Sequence, residues 1–313
     1  MLNCVLIILI SILPKHLKAE ELKGSQKLTP EIKYTPLEFK QIFTEIPSTL
    51  LKTWDTTMTR EALPYWGGIL GSTALLYYYD EQILKASEQT GRDLGIGNKD
   101  GTKTFISVNN FPVLRLPTDT GSKMYFLGDG WMHMSIAWSF YFTGLAKDQV
   151  KTTNVGIQLF HGMAASTIIN QVLKRATGRE SPNTRTDYRG RWRPGPSFKS
   201  YWERTGEFDA MPSGHIMTAT LVFTIIKNNY PDHDYWLTPL EYVWLSLLGF
   251  QMMNNGVHWA SDYPIGIATG YVVGNIVSEL GQTPIGQTTK KKDWMFFPSM
   301  DSDKLNLNFM ARF

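Results

Sequence analysis

Six long apolar segments follow one another along the chain and predict helices. They are Ala62–Tyr79, Trp131–Ala146, Asn154–Leu173, His215–Ile226, Leu237–Gly256 and Tyr263–Leu280. All of them are longer than the roughly three to ten residues of an ordinary strand. The third contains no Asp, Glu, Lys or Arg, and the fifth and sixth contain one acidic residue each. This pattern is typical of helices packed against one another in an all-α bundle.

The parts of the chain outside these segments are mainly polar. Residues 20–60 have scattered apolar positions, which predict an N-terminal extension of short amphipathic helices. A stretch rich in Gly, Asp and Lys separates the first two apolar segments, with a helical piece near Glu81–Arg92. Residues 283–313 are a short C-terminal tail whose last positions alternate like an edge strand. We therefore expect one bundle domain over residues 61–282.

An apolar run near the start of the chain, Val5–Leu13, predicts a targeting segment. Its nine residues are too few to cross a hydrocarbon core about 30 Å thick, but they suit the centre of a signal peptide. We predict a signal peptide over residues 1–19, cut after Ala19. Because no basic residue precedes the run, a short buried N-terminal strand or helix is the alternative. The single cysteine, Cys4, lies in this peptide, so the mature chain would have no disulfide, no Cys-ligated metal and no thiol nucleophile.

Three short stretches at the ends of the predicted helices carry the residues suited to chemistry. Lys174–Pro182 ends the third helix, Pro212–His215 opens the fourth, and Gly256–Asp262 joins the fifth to the sixth. If successive helices run in opposite directions, all three stretches meet at one end of the bundle. One helix more or fewer between them would separate them, so the helix count predicts a shared site.

In order and spacing, these stretches resemble the signature of the type-2 phosphatidic acid phosphatase (PAP2) superfamily. That superfamily also includes class A bacterial acid phosphatases and vanadium haloperoxidases. Its pattern is Lys, six residues and Arg-Pro, then Pro-Ser-Gly-His, then Arg, five residues, His, three residues and Asp. The chain supplies Lys174 with Pro182, all of Pro212–His215, and His258 with Asp262.

The resemblance covers residues 60–282 and implies a fold and a reaction. The fold would be an all-α, six-helix bundle of the PAP2/haloperoxidase type, with extra N-terminal helices and a short C-terminal tail. His258 would attack phosphorus, Asp262 would hold its other ring nitrogen, and His215 would protonate the leaving oxygen. The phosphate-binding groups would be Lys174, Arg179 and the backbone of Ser213 and Gly214 at a helix start. A phosphohistidine intermediate is implied, with no metal and no cofactor.

Two arginines of the family pattern are missing, because Ser181 and Met252 stand in their places. Phosphoryl transfer depends on positioning and charge stabilisation, and one lost donor typically costs about 10²–10³ in rate. We expect Arg179 to supply part of the missing charge. Other cations of the same region could assist: Arg175, Arg185, Arg189, Arg191, Arg193, Lys199 and Arg204. A non-catalytic phosphate-binding or lipid-binding relic of the family is the alternative.

The resemblance predicts a phosphorylated lipid as substrate and a membrane-associated protein of the bacterial envelope with a periplasm-facing site. Phosphatidic acid, phosphatidylglycerol phosphate, undecaprenyl pyrophosphate and lipid A are candidate substrates, and no nucleic acid is expected. Several segments reach or approach bilayer-crossing length, but the mean hydropathy of −0.20 is low for a polytopic protein. Six spanning helices behind a cleaved signal would also turn the catalytic end to the cytoplasm. Either the first segment does not direct export, or one helix is interfacial, or the bundle lies on the membrane.

Two rival functions remain open at this level. One is a soluble periplasmic acid phosphatase with small-molecule substrates. The other is a vanadate-dependent haloperoxidase, which the loss of two cationic positions disfavours. Two further histidines, His133 and His161, lie on apolar faces of predicted helices, and we expect them in the core or at its rim.

Overall fold

The structure, a computed structural model, describes residues 32–109, 111–285, 293–301 and 304–312. The chain divides into two compact units, and the described part of the first runs from residue 34 to residue 281. The second unit consists of residues 22–33 and 282–313. The predicted signal peptide lies outside the described residues, and the division into an N-terminal extension and a bundle stays a prediction.

Helices form nearly all of the described first unit, which confirms the all-α prediction. They are α1 (Gln41–Thr44), α2 (Ile46–Thr57), α3 (Leu63–Asp93), α4 (Thr120–Phe126), α5 (Gly130–Ala146), α6 (Val150–Thr177), α7 (Phe198–Glu203), α8 (Gly214–Asn229), α9 (Asp234–Asn254) and α10 (Tyr263–Ser278). The six long ones, α3, α5, α6, α8, α9 and α10, coincide with the six apolar segments. Within the described ranges, no helix combines the length and the apolar character that crossing a bilayer requires.

The first long helix extends beyond its apolar segment. Its 31 residues include the helical piece that the sequence placed separately near residues 81–92. The two acidic residues that interrupt the apolar pattern, Asp80 and Glu81, are buried and paired with arginines. Because tertiary partners satisfy these carboxylates, the helix continues through them.

The strands form two-stranded sheets. The first unit has an antiparallel hairpin of β2 (Thr102–Val108) and β3 (Phe111–Pro117), within the stretch rich in Gly, Asp and Lys. The chain also contains β1 (Ile32–Tyr34) and, in the tail, β4 (Gln282–Pro284), β5 (Asp293–Asp301) and β6 (Lys304–Arg312). The strand predicted at the end of the tail therefore pairs with another segment of the tail, since β5 and β6 are antiparallel partners.

Two groups of buried apolar side chains form the core, and α8 contributes to both. One group includes Leu76, Leu84, Ile216, Leu248, Met252, Trp259 and Tyr263. The other includes Ala137, Val155, Leu159, Leu221, Ile225 and Val273. The first-turn residue Ile216 belongs to the first group, and residues further along α8 belong to the second, so the helix is packed along its length.

Three glycines on α10 allow its backbone to lie directly against α8. A Cβ atom at Gly266 would come within 2.7 Å of the carbonyl oxygen of Ser213, and one at Gly270 within 2.2 Å of that of Met217. One at Gly274 would come within 2.8 Å of the Cβ of Thr224. Glycine at these positions therefore fixes the distance between the start of α8 and the segment before α10, which together form much of the site.

We predict that Gly270→Ala destabilises the protein because an added methyl group must push the α8 backbone away. Overpacking of this kind costs about 1–3 kcal/mol, which chemical denaturation monitored by circular dichroism would measure. Gly67→Ala is the matched control, because nothing lies within 4 Å of its Cβ position. There alanine should raise stability by about 0.5–1 kcal/mol through helix propensity. Equal effects of the two substitutions would contradict the close contact.

Candidate active site

The three stretches that the sequence singled out meet at one end of the bundle. The backbone N–H of Ser213 donates to the carbonyl of Asp262 at 3.0 Å, which joins the start of α8 to the segment before α10. The hydroxyl of Thr177 donates to the carbonyl of Met211 at 2.6 Å, which joins the end of α6 to the same place. The convergence expected from the helix count is thus present in the structure.

The imidazole of His258 is buried and held by a backbone carbonyl. Its Nδ1 lies 2.6 Å from the carbonyl oxygen of Ala210 and 3.5 Å from Oδ2 of Asp262. Because a carbonyl oxygen can only accept, Nδ1 carries the proton and Nε2 keeps its lone pair. The ring centroid of His215 lies 5.9 Å away. The sequence named Asp262 as the partner of this nitrogen, and the structure places the carbonyl of Ala210 closer.

Asp262 is fully buried and connects several groups of the site. Its Oδ1 accepts from Arg179 at 2.6 Å, and its Oδ2 accepts from the backbone N–H of Trp259 at 2.7 Å. These two bonds fix the carboxylate beside the protonated nitrogen of His258. Its negative charge can stabilise an imidazolium there, although the direct hydrogen bond goes elsewhere.

Arg179 has no exposed surface, which is not the environment expected of a phosphate ligand. Its two terminal nitrogens contact Asp262 at 2.6 Å and Asp80 at 2.7 Å. Its guanidinium carbon lies 5.1 Å from the ring centroid of each of three surrounding aromatic residues, Tyr77, Trp192 and Trp259. The prediction that this side chain substitutes directly for the missing family arginines is therefore corrected: two carboxylates and an aromatic enclosure occupy it.

Lys174 is buried and already has an anionic partner. Its Nζ lies 2.8 Å from Oδ2 of Asp209 and donates to the backbone carbonyl of the same residue at 2.7 Å. The hydroxyl of Tyr201 also donates to the carboxylate of Asp209. One of the three ammonium hydrogens therefore remains for a phosphoryl oxygen.

The start of α8 supplies unpaired backbone donors. Ser213 is the N-cap, and its side chain accepts from the backbone N–H of Ile216. Because its own N–H is bonded to Asp262, Ser213 cannot offer that group to a phosphate as the sequence predicted. The N–H groups of Gly214 and His215 have no partner among the described residues, so they are available as donors at this helix start.

His215 lies half-buried between the other site residues and α4. The ring of Tyr125 is 5.1 Å from its own, and Gly128 packs against its side chain. Burial lowers the pKa of His215 to about 3, with the nearby His258, Lys174 and His133 adding to the effect. Its imidazole is therefore uncharged at neutral pH in the free protein.

The residues at the two missing arginine positions belong to the interior. Met252 is fully buried, and its sulfur lies 3.8 Å from the hydroxyl of Ser213. Ser181 is also buried, and its backbone N–H donates to the carbonyl of Gly206. No described side chain replaces the charge at these places.

The cations of the connecting loop are largely neutralised by neighbouring carboxylates. Arg191 pairs with Asp187 at 2.5 Å, and Arg193 pairs with Glu207 at 2.5 Å. The remaining ion pairs of the loop cations within 4 Å, among the described residues, are Arg193–Glu180, Arg204–Glu207, Lys199–Glu203 and Arg185–Glu81. The loop is therefore cross-linked by its own ion pairs, and the sequence overestimated it as a source of free charge.

Sequence reasoning missed the two acidic residues that organise the site, Asp80 and Asp209. Asp80 was detectable as the first charge after the eighteen uncharged residues of an apolar segment. Of the two other histidines, His161 is buried and bonded to Thr49 and to the carbonyl of Ile42, both at 2.8 Å. His133 is buried with neither ring nitrogen bonded within the described residues, and burial lowers its pKa to about 4.

Comparison with known proteins gives two relatives. The lipid A 1-phosphatase of Porphyromonas gingivalis is 34% identical over 68 residues, which are 22% of this chain and 15% of the relative. A structural neighbour is described as the first transmembrane PAP2-type phosphatidylglycerolphosphate phosphatase from Bacillus subtilis. It aligns with 76% of this chain and 94% of its own chain at 15% identity, with a TM-score of 0.41.

A family model matches part of the chain. Residues 156–285 match the model described as the PAP2 superfamily. The matched region contains Lys174, the start of α8 and the segment from His258 to Asp262, which the structure brings together. This part of the chain is therefore similar to the PAP2 superfamily.

Proposed function

We propose that the chain is a phosphatase that hydrolyses a phosphomonoester or pyrophosphate of a bacterial envelope lipid through a phosphohistidine on His258. The observation that carries the proposal is the bond from Nδ1 of His258 to the carbonyl of Ala210, because it leaves Nε2 free to attack. The match of residues 156–285 to the PAP2 superfamily model and the similarity to a lipid A 1-phosphatase support the same reaction class.

In the first step, Nε2 of His258 attacks phosphorus and the bond to the leaving oxygen breaks. The leaving oxygen takes a proton from His215, whose ring centroid lies 5.9 Å from that of His258. His215 is uncharged before substrate binds, but a phosphate dianion beside it favours the imidazolium form. Substrate binding would thus favour protonation of His215, which then supplies the proton that the leaving group needs.

Three groups would bind the phosphoryl oxygens. They are the remaining N–H of Lys174 and the backbone N–H groups of Gly214 and His215. In the second step, water attacks the phosphorus and the P–N bond breaks. The neutral His215 accepts the proton of that water, and inorganic phosphate leaves.

Arg179 would act on the reaction indirectly, without contacting the substrate. It holds Asp262 by a 2.6 Å bond, and Asp262 in turn lies beside the Nδ1 of His258. We therefore assign Arg179 a positioning role in place of the phosphate contact that the sequence suggested.

The substrate would be presented by a membrane. The curated relative acts on a phosphate of lipid A by its name, and this chain exposes many large apolar side chains. We propose a membrane-associated protein with its site facing the periplasm. The particular lipid is for experiment to identify.

We predict that His258→Ala abolishes phosphate release. The purified chain would be given p-nitrophenyl phosphate, phosphatidic acid, phosphatidylglycerol phosphate, undecaprenyl pyrophosphate and lipid A, and released phosphate would be measured. Loss of the nucleophile should lower the rate at least about 10³-fold on every substrate that wild type accepts.

His233→Ala is the matched control, because His233 is exposed and follows the far end of α8. It should retain the wild-type rate. If wild type released phosphate from none of these substrates, or no faster than His258→Ala, the phosphatase proposal would fail.

We also predict that His215→Gln slows the reaction in proportion to the difficulty of the leaving group. A lipid alkoxide needs a proton to leave, so the loss should be about 10²–10⁴-fold. p-Nitrophenolate leaves without one, and phosphohistidine formation from that ester should slow less than about tenfold. Rapid-quench measurement of the first turnover would compare the two. An equal loss on both esters would rule out proton donation by His215.

For Arg179 we predict that replacement by alanine destabilises the fold by about 3–5 kcal/mol, because it leaves two buried carboxylates without their cation. Urea denaturation would measure the loss. Arg191→Ala removes an exposed pair and should leave the free energy of unfolding unchanged within error. If the Arg179→Ala protein were as stable as wild type and only its KM were raised, the result would support a direct contact between Arg179 and phosphate.

A further inference from the structure

The short helix α7 carries two of the most exposed large apolar side chains in the described residues. Phe198 is 76% exposed and Trp202 is 78% exposed. They lie four residues apart on one face of the helix, and their rings stack at 6.4 Å with an angle of 15° between planes. Single exposed apolar residues are ordinary, but a stacked Phe–Trp pair projecting from a six-residue helix presents a compact apolar knob.

The opposite side of the same helix is fastened to the catalytic end. Tyr201 is buried, its ring lies 4.1 Å from the guanidinium carbon of Arg175, and its hydroxyl bonds to Asp209. Asp209 is the residue that holds Lys174. The apolar knob therefore stands two contacts away from the ammonium group proposed to bind phosphate.

The chain around the knob combines cations with further exposed aromatic rings. Residues 183–204 contain six Lys or Arg and two Asp or Glu. Three carboxylates outside the segment, Glu81, Glu180 and Glu207, also pair with its cations. Six cations against these five carboxylates leave a small positive excess. Tyr188 is 62% exposed and Trp192 is 42% exposed. Tryptophan and tyrosine are enriched at the level of lipid headgroups, and clustered Lys and Arg are attracted to anionic lipids.

We propose that residues 183–204 form an interfacial docking segment that seats the catalytic end on an anionic lipid surface, with Phe198 and Trp202 as its apolar anchors. This proposal rests on the proposed function, since it specifies how a lipid phosphate reaches the site. Aromatic side chains enter the boundary between headgroups and acyl chains, and the cations around them contact lipid phosphates. Lys174 then faces the headgroup layer, in which the substrate's own phosphate lies.

The test uses the purified full chain carrying His258→Ala, so that binding is measured without hydrolysis. Flotation with vesicles of phosphatidylcholine, alone or mixed with phosphatidylglycerol, would give the bound fraction. We expect strong binding only to the mixed vesicles, weakened by salt. Phe198→Ser with Trp202→Ser should lower the affinity about tenfold or more, because the buried apolar area is lost. Tyr235→Ser is the matched control, being 80% exposed near the far end of α8, and it should bind like its parent.

Hydrolysis by the chain with His258 intact separates docking from catalysis. The double variant should keep the parent rate on soluble p-nitrophenyl phosphate and lose about tenfold or more on a lipid phosphate embedded in vesicles. Failure of the parent on the soluble ester would count against the phosphatase proposal, whereas vesicle binding would still decide the docking proposal.

A probe at the anchor gives a measurement that does not depend on the double variant folding. Phe198→Cys and Tyr235→Cys, each in a Cys4→Ser background, would carry an environment-sensitive dye. The dye at position 198 should shift to an apolar environment on addition of anionic vesicles, and the dye at position 235 should not. Unchanged binding by the double variant, no shift at position 198, or tighter binding to duplex RNA or DNA than to anionic vesicles would overturn the proposal.

Discussion

The buried guanidinium of Arg179 holds the catalytic end of this bundle in place. A charge without access to water is unfavourable unless partners compensate it, and here Asp80 and Asp262 both do so. Burial raises the pKa of Asp80, and the opposing effect of Arg179 is partly offset by the negative charge of Asp262. Asp80 also accepts from the backbone and the hydroxyl of Ser261. Removing any member would leave another charge buried and unpaired, so the network fixes one arrangement of three distant chain segments.

This network explains why the site can be ordered while lacking two arginines of the family pattern. In the proposed function, stability and ligand binding would be divided between different cations: Arg179 pairs with buried carboxylates, while Lys174 and the start of α8 would bind the anion. The position occupied by Met252 is part of the core next to Ser213, so its change alters packing as well as charge. The proposed phosphate site would therefore rely on a helix terminus and one lysine, with fewer charged donors than the PAP2 pattern supplies.

Asp209 connects the two surfaces on which the proposed function depends. Its carboxylate is shared by Lys174, which would bind phosphate, and by Tyr201, which belongs to the proposed docking helix. A displacement of α7 on a lipid surface would reach Lys174 through this single side chain. If both proposals hold, Asp209 would link the residues that bind the substrate phosphate to the residues that contact the membrane.

The sequence by itself determined the all-α fold, the six long helices and the residues that meet at one end of the bundle. Helical periodicity and segment length are local properties, and the order of helices then dictates which ends converge. It did not reveal that Asp80 continues α3, that Ala210 is the closest partner of His258, or that Arg179 points inward. Those facts depend on which group lies nearest in space among residues far apart in the chain. Every residue has a backbone carbonyl oxygen, so the sequence cannot show which one accepts a hydrogen bond. The sequence also cannot show whether an arginine contacts a carboxylate or a phosphate. Only the tertiary structure decides that, because the free energy of a buried charge is set by its neighbours.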